Sequence, residues 1–176
     1  MNKVAQIDAK LLEKVKKYIV DNYVEEIEEE CSDASIFGVF EESEIKFSTL
    51  EIPRSLKNIN DDIDYTWQQS VFRLIDKKEY TDPEVYKRAS ISKQTFSKIR
   101  CDVNYQPNKD TAIQMCIGLK LNLDETYDLM EKAGYTLSAS IKRDLVVRYF
   151  IEEKIYKMDD LNIVLDDMHL KLFPIN

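Results

Sequence analysis

Apolar residues recur along this chain at helical rather than strand spacing. Leu11, Leu12, Val15, Tyr18, Ile19, Tyr23 and Ile27 fall at i, i+3, i+4 and i+7 steps, the stripe of a helix with one buried face. The spacing predicts a helix over 7–29, with acidic Asp8 near the positive end of its dipole. The run Glu25 to Glu30, broken only by Ile27, sits badly at a helix C-terminus, so fraying is expected there. Over 31–60 the periodicity lapses among Gly38, Pro53 and scattered Ser and Asn, which reads as an irregular connector. Within it, Phe37, Val39 and Phe40 form a short apolar patch able to dock elsewhere.

Periodicity returns at Tyr65. A helix is expected over 62–78, with Trp67, Val71, Phe72, Leu74 and Ile75 turned inward. Thr81 followed by Pro83 and Glu84 has the form of a capping box with proline in the first turn, where no donor is lost. That helix should end near Ala89. Ser92 caps a second, from Lys93 to Arg100, and Asn108 a third, from Lys109 to about Leu121. Asp124 to Ala133 follows, stopped by Gly134 as a left-handed C-cap. Two more are expected over 138–153 and 159–167. No segment reads as a strand, so the fold class is all-α. Four regions result: an N-terminal amphipathic helix (1–30), an irregular acidic connector (31–61), a compact helical domain (62–136) and a C-terminal helical extension (137–176).

Composition narrows the chemistry. Of 176 residues, 44% are hydrophobic and 33% charged, enough to build one packed domain. No apolar run nears the roughly 20 residues that span a bilayer, and the first ten residues hold no apolar signal core. Cys31, Cys101 and Cys116 show no paired spacing, which reads as reduced thiols in a cytoplasmic protein. Metal and nucleophile–base chemistry mostly recruits histidine, and His169 is the single one. It stands after Asp166 and Asp167, a weak trio at best. With 3 glycines a phosphate-binding glycine loop is excluded. The expectation is no enzyme, no metal and no cofactor.

Charge is unevenly placed. Net charge is −8, yet residues 65–109 carry nine basic and five acidic groups, a surplus of +4 between two acidic flanks. One basic island in an acidic chain points to a localised anionic partner.

Within that island, two short helices are joined by a turn at Ala89 to Ser92. Val85, Ala89, Ile91, Phe96 and Ile99 have the spacing that packs two crossed helices together. Lys93, Gln94, Ser97, Lys98 and Arg100 are left outward on the second helix. Gln can read adenine through two hydrogen bonds, and Arg or Lys can read guanine. Ser92, Lys87, Arg88 and Lys109 are placed to reach phosphates. Asn104 and Tyr105 fall in the following loop, where they order it or touch the backbone of a nucleic acid. Cys101, beside Arg100, is read as an ordinary small side chain in preference to a redox sensor.

The stretch from Thr81 to Gly134 resembles the lambda-repressor-like (XRE/Cro-type) helix-turn-helix family. Thr81, Glu84 and Val85 open one helix; Ile91, Ser92, Thr95, Phe96, Ser97, Lys98, Ile99 and Arg100 form the next. Pro107, Thr111, Ala112, Ile117, Gly118, Leu119, Leu121, Asn122, Leu123, Asp124 and Glu125 continue the match. The phrases VYKRA, FSKIR, NYQP and AGYTLS are similar to an uncharacterised bacterial branch of that family. The resemblance implies a five-helix domain, with the helix at 65 as its first, whose second motif helix enters the major groove of DNA. Three departures stand out. Tyr86 replaces a small residue, Ser90 replaces the turn glycine, and the loop 101–107 is long. Tyr86 must tilt the two helices or point aside.

The leading expectation is a sequence-specific DNA-binding protein, a transcriptional regulator that binds double-stranded DNA as a homodimer. The alternative is a protein-interaction or adaptor module that keeps the scaffold without binding DNA, such as a regulatory component of a stress or phage-defence system. An apolar patch across Phe37, Val39 and Phe40, or on the 7–29 helix, favours the second if it is exposed.

Overall fold

The structure, a computed structural model, describes residues 9–24 and 65–175. The connector 31–61, the acidic run after Val24 and Phe37, Val39 and Phe40 lie outside the described residues, as does Cys31. Eight helices and no strand are found among the described residues, all in one compact unit. They are α1 (Ala9–Asn22), α2 (Trp67–Lys77), α3 (Asp82–Arg88), α4 (Lys93–Cys101), α5 (Lys109–Gly118), α6 (Leu123–Lys132), α7 (Lys142–Glu152) and α8 (Met158–Asp167).

The caps form where the polar residues stand. The side chain of Ser92 accepts from the amide of Thr95, Asn108 from Thr111 and Asn122 from Glu125. At Thr81 the Glu84 carboxylate accepts from both the backbone amide and the hydroxyl, each at 2.8 Å. Three helices are shorter than their periodicity suggests, each for a local reason. Instead of starting at 62, α2 begins at Trp67, because Thr66 and Gln69 form a reciprocal capping box. The first helix stops at Asn22, whose side-chain amide donates to the Tyr18 carbonyl at 2.8 Å, while the Val24 amide turns away to Ala139. Residues 138–141 form a turn ahead of α7. In it Ser138 Oγ accepts from the Ser140 amide, and the Asp144 carboxylate accepts from the Ser138 amide.

Six helices end in one and the same way. After α2, α3, α5, α6, α7 and α8 the chain enters the left-handed region at Glu79, Ser90, Lys120, Gly134, Lys154 and His169. The next residue, Tyr80, Ile91, Leu121, Tyr135, Ile155 or Leu170, returns its amide to the last turn in the six-to-one bond of a Schellman motif. Each of these returning residues is apolar or aromatic and lies in the core or against it. Only one of the six left-handed positions is glycine, so the packing of the following side chain holds the other five against their local preference. His169 thereby has a structural place: it closes α8, donating its amide to Asp166.

At the centre, α5 is buried on every side from Thr111 to Leu119, as expected of a helix apolar all round. The flanking α3 and α6 pack on α5, α7 packs on α6, and α1 and α8 pack on α7. The approach of α3 to α5 is close where Gly118 faces Ala89. On α2, Gln68 and Phe72 face α4, while Ser70, Arg73, Leu74 and Lys77 line a cleft shared with α6. The last residues are latched by side chains. Asn162 pairs with both the amide and carbonyl of Phe173, and Gln114 donates to the Pro174 carbonyl.

Candidate nucleic-acid interface

The two short helices of the basic island pack through the residues that their spacing selects. Val85, Ala89, Ile91, Phe96 and Ile99 are all buried, none exposed by more than 4%. Ser90 takes the left-handed turn that glycine would favour, at φ 53°. Tyr86 points aside: its ring lies against Phe96 with centroids 5.7 Å apart, and Phe96 meets Phe72 of α2 edge-on at 5.9 Å. The close contact that a small residue must supply is made by Ala89 instead, one turn on.

On the outer side of α4, Lys93, Gln94, Ser97 and Lys98 are all exposed. Successive steps of 100° put them on one face, with Cys101 at its C-terminal end. The helix contains no acidic residue. Lys93 and Lys98 have no ion pair or hydrogen bond with any described residue, nor has Lys87 at the end of α3. These are three solvated cations free to meet an external anion.

The other sequence-selected residues are already engaged. The Ser92 hydroxyl accepts the Thr95 amide at 3.1 Å, so it serves as the cap of α4. Arg100 pairs with Asp82, and its guanidinium lies 4.3 Å from the Phe72 ring centre. Its carbonyl accepts from Gln68 at 3.2 Å. It therefore ties α4 to the start of α3 and to α2. Arg88 stacks on Tyr80 at 4.1 Å and donates to the Glu84 carbonyl at 3.1 Å. Lys109 departs furthest from expectation. Its ammonium lies 2.5 Å from the carboxylate of Asp144, which is 2% exposed. Lys109, itself partly exposed, is thus committed to neutralising a buried carboxylate, which leaves it little charge for a phosphate.

The long loop is ordered by its own residues. Asp102 accepts from the Asn104 amide through its side chain and from the Tyr105 amide through its carbonyl. Tyr105 is half-buried, with its ring 6.1 Å from that of Trp67, and burial pushes its hydroxyl above the ordinary tyrosine range. Of the two described thiols, Cys101 is exposed and Cys116 buried. Burial pushes the Cys116 thiol up to about 12.

Two ion-pair systems between residues distant in sequence tie the other helices together. Asp110 meets Arg143 at 2.5 Å and Lys171 at 3.1 Å. Burial alone would raise its carboxyl, but those two cations more than reverse the effect and hold it below the usual range. Glu125 meets Lys78 at 2.9 Å and is likewise held low, against its burial, by Lys78 and the Asn122 amide. Their partners lie 33 to 61 residues apart in sequence for Asp110 and 47 for Glu125, so no local pattern reveals them.

What the fold and this face define is an all-helical domain with one cationic, acid-free helix face. Among the described residues no helix is long and apolar enough to cross a membrane. Comparison of the chain with protein-family models, curated proteins and solved structures returns no match.

Proposed function

We propose that this protein is a sequence-specific DNA-binding protein of helix-turn-helix type, with α3 and α4 as the motif, acting as a transcriptional regulator. The observation that carries the reading is the outer face of α4. Lys93, Gln94, Ser97 and Lys98 stand exposed there, while Phe96 and Ile99 anchor the opposite side. A helix so mounted enters a major groove with its N-terminal half. In that pose Gln94 is the base reader, and Lys93 and Lys98 meet either guanine or phosphate. Lys87 adds a phosphate contact from the end of α3. Arg100 and Arg88 act chiefly by fixing the two helices, and Ser92 by capping the second.

The test is fluorescence anisotropy of pooled duplex fragments at two salt concentrations, with sequencing of the retained fragments. Salt-sensitive retention of fragments sharing a motif supports the reading. A symmetric motif supports a homodimer, because two half-sites are then read together. Absence of binding even at low salt overturns it.

One observation favours a second reading, the protein-interaction module. Val20, on α1, and Val24, just past its end, are 80% and 62% exposed. These are two exposed apolar side chains at the end of the helix that packs on α7, and they suit a protein partner better than a nucleic acid. Should DNA binding fail, capture of a partner lost on Val20→Glu identifies this reading.

A further inference from the structure

The cleft between α2 and α6 lies on the side of α2 away from α4. It has a volume of about 480 Å³, within the range of small-molecule sites. Leu74 and Leu129 give it apolar wall, and Tyr65 an aromatic one. Three cationic side chains, Arg73, Lys77 and Lys132, face two carboxylates, Glu125 and Asp128.

Of the two carboxylates, Glu125 is fully engaged, whereas Asp128 is mostly solvated and only loosely paired. Glu125 is bound by Lys78 at 2.9 Å and by the Asn122 amide at 3.1 Å, and Asp128 lies 4.0 Å from Lys132. The cations of α2 are not paired in this way. Arg73 rests one face of its guanidinium on the Tyr65 ring at 3.8 Å, which leaves its in-plane N–H donors available. Lys77 makes no hydrogen bond or salt bridge with a described residue, and its charge reaches Glu125 only through space. The two are exposed and one helical turn apart, a like-charged pair at i and i+4 that disfavours the helix unless an anion lies between them.

We propose that this cleft binds a small organic anion with an apolar body, its charged group held by Arg73 and Lys77. The planar guanidinium recognises a carboxylate, sulfonate or phosphate group through two donors, and the ammonium adds a point charge. The body of the ligand covers Leu74, with buried Leu129 beneath it. The site is separate from α4, and the proposal stands whether or not α4 binds DNA.

The test uses the full chain and two dyes of nearly equal shape, anionic 8-anilinonaphthalene-1-sulfonate and uncharged N-phenyl-1-naphthylamine. Fluorescence titration is expected to show one saturable site for the sulfonate. Binding is expected to be about tenfold weaker for the uncharged dye, and about tenfold weaker for the sulfonate in Arg73→Gln/Lys77→Gln. Both side chains are exposed, so the urea midpoint of the variant should match the wild type. Lys77→Gln alone gives an intermediate loss that checks the pair separately. Lys93→Ala/Lys98→Ala, on α4, should leave dye binding unchanged. No saturable binding, equal affinity for both dyes, equal affinity in the α2 variants, or loss in the α4 variant would each overturn the proposal.

Discussion

Gly118 and Ala89 bring α5 and α3 into backbone contact: a methyl group on Gly118 would stand 2.7 Å from the Ala89 Cβ and 2.9 Å from the Val85 carbonyl oxygen. No side chain can move to relieve this, because two of the atoms met are backbone. The helices themselves would have to separate. Gly118→Ala is therefore expected to destabilise the protein by roughly 1–3 kcal/mol through overpacking, read as a drop in urea midpoint at unchanged slope. Because α3 carries the turn into α4, the same variant should also weaken the DNA binding proposed for α4.

Ser90 offers the opposite sign. It holds φ 53° at the end of α3, a region that costs a residue with a Cβ about 1–2 kcal/mol. Ser90→Gly relieves that cost but loosens the unfolded chain, so a net gain of about 0.5–1 kcal/mol is expected. Thermal unfolding measures it. Lys154→Gly, which closes α7 in the same way, should gain a similar amount.

Lys109 and Lys98 are both lysines of the basic island, and their replacement should separate cleanly. Lys109→Met leaves the Asp144 carboxylate buried without its cation and should cost roughly 3 kcal/mol. Lys109→Met/Asp144→Leu should recover only part of that loss, because the Ser138 amide then loses its acceptor. Lys98→Ala should leave stability unchanged and reduce the slope of log affinity against log salt by about 0.9 if it meets a phosphate. Equal effects of the two single variants on folding would contradict the burial of Asp144.

Acid should unfold the protein through its paired carboxylates. Asp110 and Glu125 are both held below their ordinary values of 3.8 and 4.5. A group lowered by folding contributes its stability above the unfolded value and loses it as pH falls through the folded one. Stability is thus expected to be flat near neutrality and to fall from about pH 4.5 downward. Asp110→Asn should be less stable at pH 7 and show a shallower acid limb in urea titrations from pH 7 to 3.

The two described thiols should differ in reactivity. Cys116 is fully buried within α5, its thiol raised to about 12 by burial, whereas Cys101 is exposed at the end of α4. Alkylation of the native protein at pH 8, mapped by mass spectrometry, should label Cys101 and spare Cys116 until denaturant is added. If α4 binds DNA as proposed, bound DNA should slow the labelling of Cys101, which shares its helix face with Lys93 and Ser97.

The sequence by itself determined the all-helical class, the caps at Thr81, Ser92 and Asn108, the stop at Gly134, and the inward set from Val85 to Ile99. These depend on neighbours within a few residues, where a polar side chain meets its own backbone or an apolar stripe repeats at 3.6 residues. The outward face of α4 follows from the same periodicity. Helix ends were less legible. Asn22 and Ser138 end or delay helices by bonding to the backbone, and both are compatible with the apolar pattern that runs through them.

Only the tertiary structure decided which cations are free. Lys93 and Lys109 are indistinguishable as residues in a basic stretch, yet one is solvated and the other meets a carboxylate 35 residues further on. Arg100 looks like its neighbour Lys98 until Asp82, 18 residues earlier, folds back onto it. The cleft of Arg73 and Lys77 exists only because α6 returns to lie beside α2. Such pairings depend on where distant helices come together, and the hydrophobic packing that brings them together carries no record, at any one position, of which charge will face which.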